Sequence, residues 1–138
     1  MQVVIDNFGL LMRGLAVTLQ LSALIILFGT FIGLFGGIGL LYGPVWVRAI
    51  LRAYVDVIRG TPLLVVIFLI FYGLPALNVE IDGFQAAVVA FSLFAGAHIS
   101  EIIRGGISSV PRAQTDAAKA LGLTFWPSIT WVILPQAL

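Results

Sequence analysis

The sequence has no cysteine and a single histidine, His98, in 138 residues. Without cysteine there is no disulfide framework, no thiolate nucleophile and no cysteine metal site, and one histidine cannot build a metal cluster alone. Charge is almost as scarce. Lys+Arg number 7 and Asp+Glu 6, so 9% of residues are charged and the formal net charge is +1. A soluble domain carries roughly 25% charged residues because its surface faces water, which excludes an ordinary water-soluble fold. So few basic residues cannot form the basic face that nucleic acid requires, so nucleic acid is no partner. Enzyme signatures are also missing: no Gly-rich phosphate loop ending in Gly-Lys-Ser/Thr, no His-Glu-x-x-His, no Gly-x-Ser-x-Gly elbow. Gly36-Gly37-Ile38-Gly39 lies inside an apolar run with no strand before it and reads as packing glycine. The chain is therefore expected to have no catalytic residue, no bound metal and no cofactor of its own. What is plentiful is apolar side chain, 61% of residues, with a mean hydropathy of +1.15. An all-α, polytopic membrane bundle follows.

Charges divide the chain, since one at the bilayer centre costs about 2.5–3.5 kcal/mol on insertion scales. Residues 14–47 contain none, and 15–42 exceeds the roughly 20 apolar residues needed to cross. Residues 60–79 and 83–100 are two further charge-free stretches, the latter interrupted only by His98. The reading is one transmembrane domain over 1–138 with spans at about 14–42, 60–78 and 83–103, followed by a surface loop at about 104–135. No internal repeat or low-complexity segment is present.

Asp6 precedes a first apolar run that is too long for a signal peptide, so that run reads as an uncleaved span. Basic residues collect on the cytoplasmic side. Arg48, Arg52 and Arg59 lie between the first and second spans, and Arg104, Arg112 and Lys119 follow the third. The loop at 75–83 carries Glu80 and Asp82 and no basic residue. The N-terminus is thus expected outside and the segment after Arg104 inside, with Arg13 alone against the pattern.

Gly29, Gly33 and Gly37 recur every fourth position and share one helical face, the spacing of a helix-packing seam. After the third span, Ser109 reads as a helix cap, Pro111 as a first-turn residue and Gly122 as a stop, giving a helix of about ten residues. Thr124 caps a second short helix toward Val132, limited by Pro135. Ala113, Ala117, Ala118, Ala120 and Leu121 give the first of these a small-residue surface suited to docking on another protein. The competing reading is an amphipathic helix resting on lipid headgroups.

Asp116-Ala117-Ala118, Gly122 and Val132-Ile133-Leu134-Pro135 resemble the signature loop of the permease subunits of bacterial ABC importers. Gln114, Gln136-Ala137, Arg59-Gly60-Thr61-Pro62-Leu63-Leu64, Tyr72-Gly73-Leu74-Pro75 and Glu101-Ile102-Ile103-Arg104-Gly105-Gly106-Ile107 point to the polar amino-acid uptake branch, the histidine/glutamine/arginine-type permeases. Asp116 stands where the family usually has glutamate, one methylene longer, and His98 where the branch often has an aromatic residue.

The resemblance implies a type I ABC importer permease fold in a bacterial inner membrane. It also implies about two more spans after the loop, so the sequence reads as C-terminally incomplete. Partners would be an ATPase subunit dimer that binds and hydrolyses ATP, an extracytoplasmic solute-binding protein, a second permease subunit, the lipid bilayer and a polar amino-acid substrate. The loop would form the coupling helix, with Asp116, Ala117, Ala118, Leu121 and Gly122 at the ATPase contact. Asp116 would pair with a partner's basic group; alternatively it pairs with Lys119 three residues on. His98 and Glu101, three apart on one helical face, are candidate pathway residues; alternatively Glu101 pairs with Arg104. Asp56 and Arg59 form a similar candidate pair. Two further readings stay open: a fragment of a non-ABC secondary transporter or channel using Glu101 and His98, and a purely structural membrane subunit.

Overall fold

The computed structural model describes residues 7–137; Asp6 and Leu138 lie outside them. In chain order come α1 (Phe8–Tyr42), α2 (Val45–Gly60), α3 (Leu63–Ala76), α4 (Gly83–Ser109), α5 (Arg112–Ala120), α6 (Phe125–Pro127), a π-helical turn (Ser128–Ile133) and α7 (Leu134–Ala137). No strand occurs among the described residues.

Two helices, α1 and α4, are long and apolar enough to cross a membrane. At 1.5 Å per residue the 35 residues of α1 reach about 52 Å, well beyond a hydrocarbon core of about 30 Å. The helix starts at Phe8, so Arg13 lies within it rather than ahead of it. A long Arg stem can carry its charge toward an interface without breaking the helix.

The core of the molecule is the seam between α1 and α4. A Cβ on Gly29 would lie 2.9 Å from the Ala95 Cβ, and one on Gly37 would lie 2.8 Å from the Ile103 Cβ. At Gly33 it would collide with Ile99, and at Gly36 with the Ser100 hydroxyl. The register is regular: Gly29 faces the Ser92 carbonyl, Gly33 that of Gly96 and Gly37 that of Ser100. Both helices ascend together along this contact, so they run parallel. The chain between them must therefore return from the end of α1 to the level where α4 begins.

That return is made by α2 and α3, which meet at a bend of 110°. The break falls at Thr61-Pro62, where proline lacks an N–H and disfavours helix in the residue before it. Thr61 is accordingly extended, and its hydroxyl donates to the Val57 carbonyl at 2.7 Å. The α3 helix has 14 residues, about 21 Å, shorter than the stretch expected over 60–78. Pro75 sits inside its last turn. The bent pair counts as a third candidate span if it is taken as one unit.

The interval from Arg48 to Arg59 is helix rather than linker. One flank of α2 packs on the core: Val55 is fully buried, with Leu51, Tyr54 and Ile58 around Leu40 and Ala97. The Tyr54 hydroxyl donates to the Leu93 carbonyl of α4 at 2.6 Å.

The α4 helix opens on a capping box, Asp82 accepting from the Gln85 N–H and Gln85 accepting from the Asp82 N–H. It continues through Gly105-Gly106 to Ser109, six residues beyond the expected end of the span. Ser109 therefore closes α4 instead of capping α5; its hydroxyl donates back to the Gly106 carbonyl at 2.7 Å. The cause is Pro111, which holds Val110 extended and itself occupies the α5 cap position. Thr124 does stand at the cap of α6, but its hydroxyl makes no cap bond; its carbonyl accepts the Ser128 N–H. Pro135 does not end the helical path. The wider π turn ahead of it absorbs the missing N–H, and the chain continues to Ala137.

Candidate functional site

The α5 helix has nine residues and is held by one face. It packs on the π-helical turn, and Ala118 is its buried residue, 1% exposed. Asp116 and Ala117 are exposed, and Leu121 just beyond the helix is 81% exposed. Ala117 and Ala118 were expected to share one contact surface. They do not, because neighbours on a helix point about 100° apart; Ala118 serves the interior and Ala117 the outside. Gly122 turns the chain at φ +76°, a left-handed conformation that disfavours any residue with a Cβ. Its N–H donates to the Lys119 carbonyl, and the Leu123 N–H to that of Ala118, closing the helix end.

Asp116 makes no ion pair or side-chain hydrogen bond among the described residues, so the local pair with Lys119 is not formed. The outer face of α5 thus combines an unengaged carboxylate, small residues and one large apolar knob.

What lies beneath α5 ties it to the bundle. Ile129 and Ile133 of the π turn form a buried cluster with Ile107 of α4, and Leu41 of α1 packs against it. At Gly106 the Ala137 carbonyl of α7 comes so close that a Cβ would lie 2.8 Å from it. Packed side chains thus link α5 to the ends of both long helices.

The candidate pathway residues His98 and Glu101 each have partners within the bundle. The Glu101 carboxylate accepts from Arg104 Nε at 2.9 Å and lies 3.6 Å from an Arg52 guanidinium nitrogen. Of the two sequence readings, the structure forms the Glu101–Arg104 pair and extends it to a second helix. His98 Nδ1 is 2.9 Å from the Phe94 carbonyl, and its ring stacks on Phe94 with centroids 4.5 Å apart. Glu101 and His98 do not bond to each other, and Asp56 forms no ion pair with Arg59, among the described residues. No group of three or more His, Cys, Asp or Glu suited to a metal occurs among them either.

Ser92, Gly96 and Ser100 were missed by sequence reading although they repeat every fourth position, as Gly29, Gly33 and Gly37 do; they are the α4 side of the seam. Arg52 and Tyr54 were missed because their partners are remote in sequence.

Comparison with known proteins agrees with this architecture. The family model described as "Binding-protein-dependent transport system inner membrane component" matches residues 8–138. The chain is 44% identical over 128 residues to the L-cystine transport system permease protein TcyB of Bacillus subtilis, covering 93% of this chain and 55% of that one. It is 40% identical over 131 residues to the glutamine transport system permease protein GlnP of Escherichia coli K12, covering 94% and 60%. A solved structure described as "Crystal structure of an amino acid ABC transporter with histidines" superposes with a TM-score of 0.86 at 36% identity, covering 99% of this chain and 64% of that one. The chain thus spans somewhat under two thirds of the length of these relatives.

Proposed function

This chain belongs to the family of binding-protein-dependent transport system inner membrane components, and we propose that it is part of the transmembrane permease subunit of an ATP-driven importer of polar amino acids. An extracytoplasmic binding protein delivers the solute, a second permease subunit completes the pathway, and a separate ATPase dimer binds and hydrolyses ATP. The end bearing α5 faces the cytoplasm. The cystine and glutamine permeases among its relatives support the substrate class.

The observation that carries the reading is the seating of α5. A short helix clamped on one face by Ala118 and free on the other through Asp116, Ala117 and Leu121 moves with whatever grips it. Closure of an ATPase dimer that held this face would push α5 as a rigid body, the mode by which packed helices shift in switching proteins. The motion would pass through Ile129 and Ile133 to Ile107 of α4 and Leu41 of α1. Asp116 supplies a carboxylate for a basic group or backbone N–H of the partner. Ala117 allows close approach, and Gly122 sets the turn.

The secondary-transporter reading lacks comparable support. Glu101 is held by two guanidinium groups and His98 by its own helix, so neither is poised to relay an ion.

The test is co-purification of the ATPase subunit with the complete permease from detergent-solubilised membranes, wild type against Gly122→Glu. Retention by the wild type and loss in the variant support the coupling role. A folded wild type that retains no ATPase overturns it.

A further inference from the structure

A cavity of about 320 Å³ lies where the end of α1 meets α5 and the π-helical turn. Its inner wall is apolar, made by Phe125, Ile129 and Ile133. Three residues with polar side chains also line it: Tyr42, Thr115 and Lys119. Thr115 and Lys119 stand one turn apart on α5, on one face. None of the three groups has a hydrogen-bond or ion-pair partner among the described residues. Ser128, also on the wall, is different, for its hydroxyl donates to the Thr124 carbonyl at 2.8 Å.

We propose that this cavity is a binding site for an anionic phospholipid of the cytoplasmic leaflet, whose phosphate sits on Lys119, Thr115 and Tyr42 and whose upper acyl chain lies along Phe125, Ile129 and Ile133.

The size falls at the lower end of the range for ligand pockets, and an apolar wall with a few convergent polar groups is their usual make-up. The polar set is all donors of the kind that phosphate accepts from, a Lys point charge and two hydroxyls, with no carboxylate lining the cavity to oppose an anion. A soluble anion would gain nothing from the isoleucines, and a neutral apolar ligand nothing from Lys119; an amphiphile with an anionic head uses both. Its place fits as well. Tyr42 ends a membrane-length helix, and basic pockets at that level of a bundle take acidic lipid headgroups. The π turn supplies Ile129 and Ile133, and such turns within helical segments recur at functional positions. A lipid held there would touch α1 and α5 together and so stabilise the spacing between them.

The assignment rests on the proposed membrane embedding but not on ATPase coupling, and its test involves no ATP turnover. The complete permease, purified with its partner subunits, is titrated with phosphatidylglycerol and with phosphatidylcholine, and retained lipid is counted by native mass spectrometry. Expected is at least threefold greater retention of phosphatidylglycerol, reduced threefold or more by Lys119→Gln and also by Thr115→Val, and kept by Arg48→Gln, which removes an equal charge outside the cavity. Equal retention of the two lipids overturns the proposal. So does an equal loss in Lys119→Gln and Arg48→Gln, which marks non-specific charge attraction. A photoreactive residue in place of Leu123, which lines the cavity without belonging to its polar set, would also overturn it if it crosslinked to protein instead of lipid, because the cavity would then be filled by a partner subunit or by the rest of the permease.

Discussion

Ala117 and Ala118 are adjacent, yet Ala118 is 1% exposed against the π-helical turn while Ala117 lies on the open side of α5. Enlarging the two side chains should therefore have separable effects. Ala118→Leu inserts three carbons into a packed site and is expected to cost about 1–3 kcal/mol, seen as a lower melting temperature in detergent. Ala117→Leu should change stability by no more than about 0.5 kcal/mol while reducing ATPase co-purification several-fold. Equal effects of both on melting would refute the assigned orientations.

Gly122 has open space around the position of a Cβ, so a substitution there is opposed by backbone conformation alone. Gly122→Ala is expected to cost roughly 1–2 kcal/mol, the penalty of the left-handed region. The loss should be local: amide hydrogen exchange should quicken across α5 and remain unchanged in the α1–α4 seam.

Glycines of the seam should contrast with glycines elsewhere in the same helices. Gly33→Ile would drive side-chain atoms into Ile99 and separate α1 from α4, reducing the yield of folded protein. Gly105→Ala meets nothing within 4 Å and replaces a helix-interior glycine, so it should be neutral or stabilise by up to about 1 kcal/mol. Parallel thermal melts of the two variants decide the matter.

Arg52 joins α2 to α4 through Glu101, with the Tyr54 hydroxyl bonded to Leu93 nearby on the same pair of helices. The Arg52 side chain is 47% exposed, so its pairing should be modest and weakened by salt. A double-mutant cycle of Arg52→Gln with Glu101→Gln is expected to give a coupling of about 0.2–1 kcal/mol at low salt, falling as salt rises. Tyr54→Phe should cost a further 0.5–1.5 kcal/mol or so, the worth of one hydrogen bond. A coupling that is zero at all salt concentrations would show that the pair does not hold α2 in place.

Much of this architecture was legible in advance, and the reasons are physical. Charge-free length located α1 and α4, because burying charge in lipid is costly whatever the tertiary contacts. The Gly29, Gly33 and Gly37 spacing marked a packing face, and Gly122 marked a turn, since both depend on local geometry. Ends and caps were less legible. Ser109 and Thr124 are ordinary capping residues by type, but Pro111 moved the α4 boundary past Ser109 and left its hydroxyl to bond within the preceding helix. Pro135 looked like a stop because a regular α-helix cannot accommodate it, and the π turn is not a local propensity that residue type announces.

Composition and patterning alone determined that the chain is helical, membrane-adapted and without metal or nucleotide motifs, since each of these follows from which residue types are present and how they are spaced. Only the tertiary structure decided that the glycine seam pairs with Ser92, Gly96 and Ser100, that Glu101 is neutralised by Arg52 as well as Arg104, and that Ala118 faces inward beside an outward Ala117. The spacing of a small-residue stripe states which face is bare, but the partner that fills it is fixed by packing between segments about sixty residues apart, and no local pattern encodes that distance.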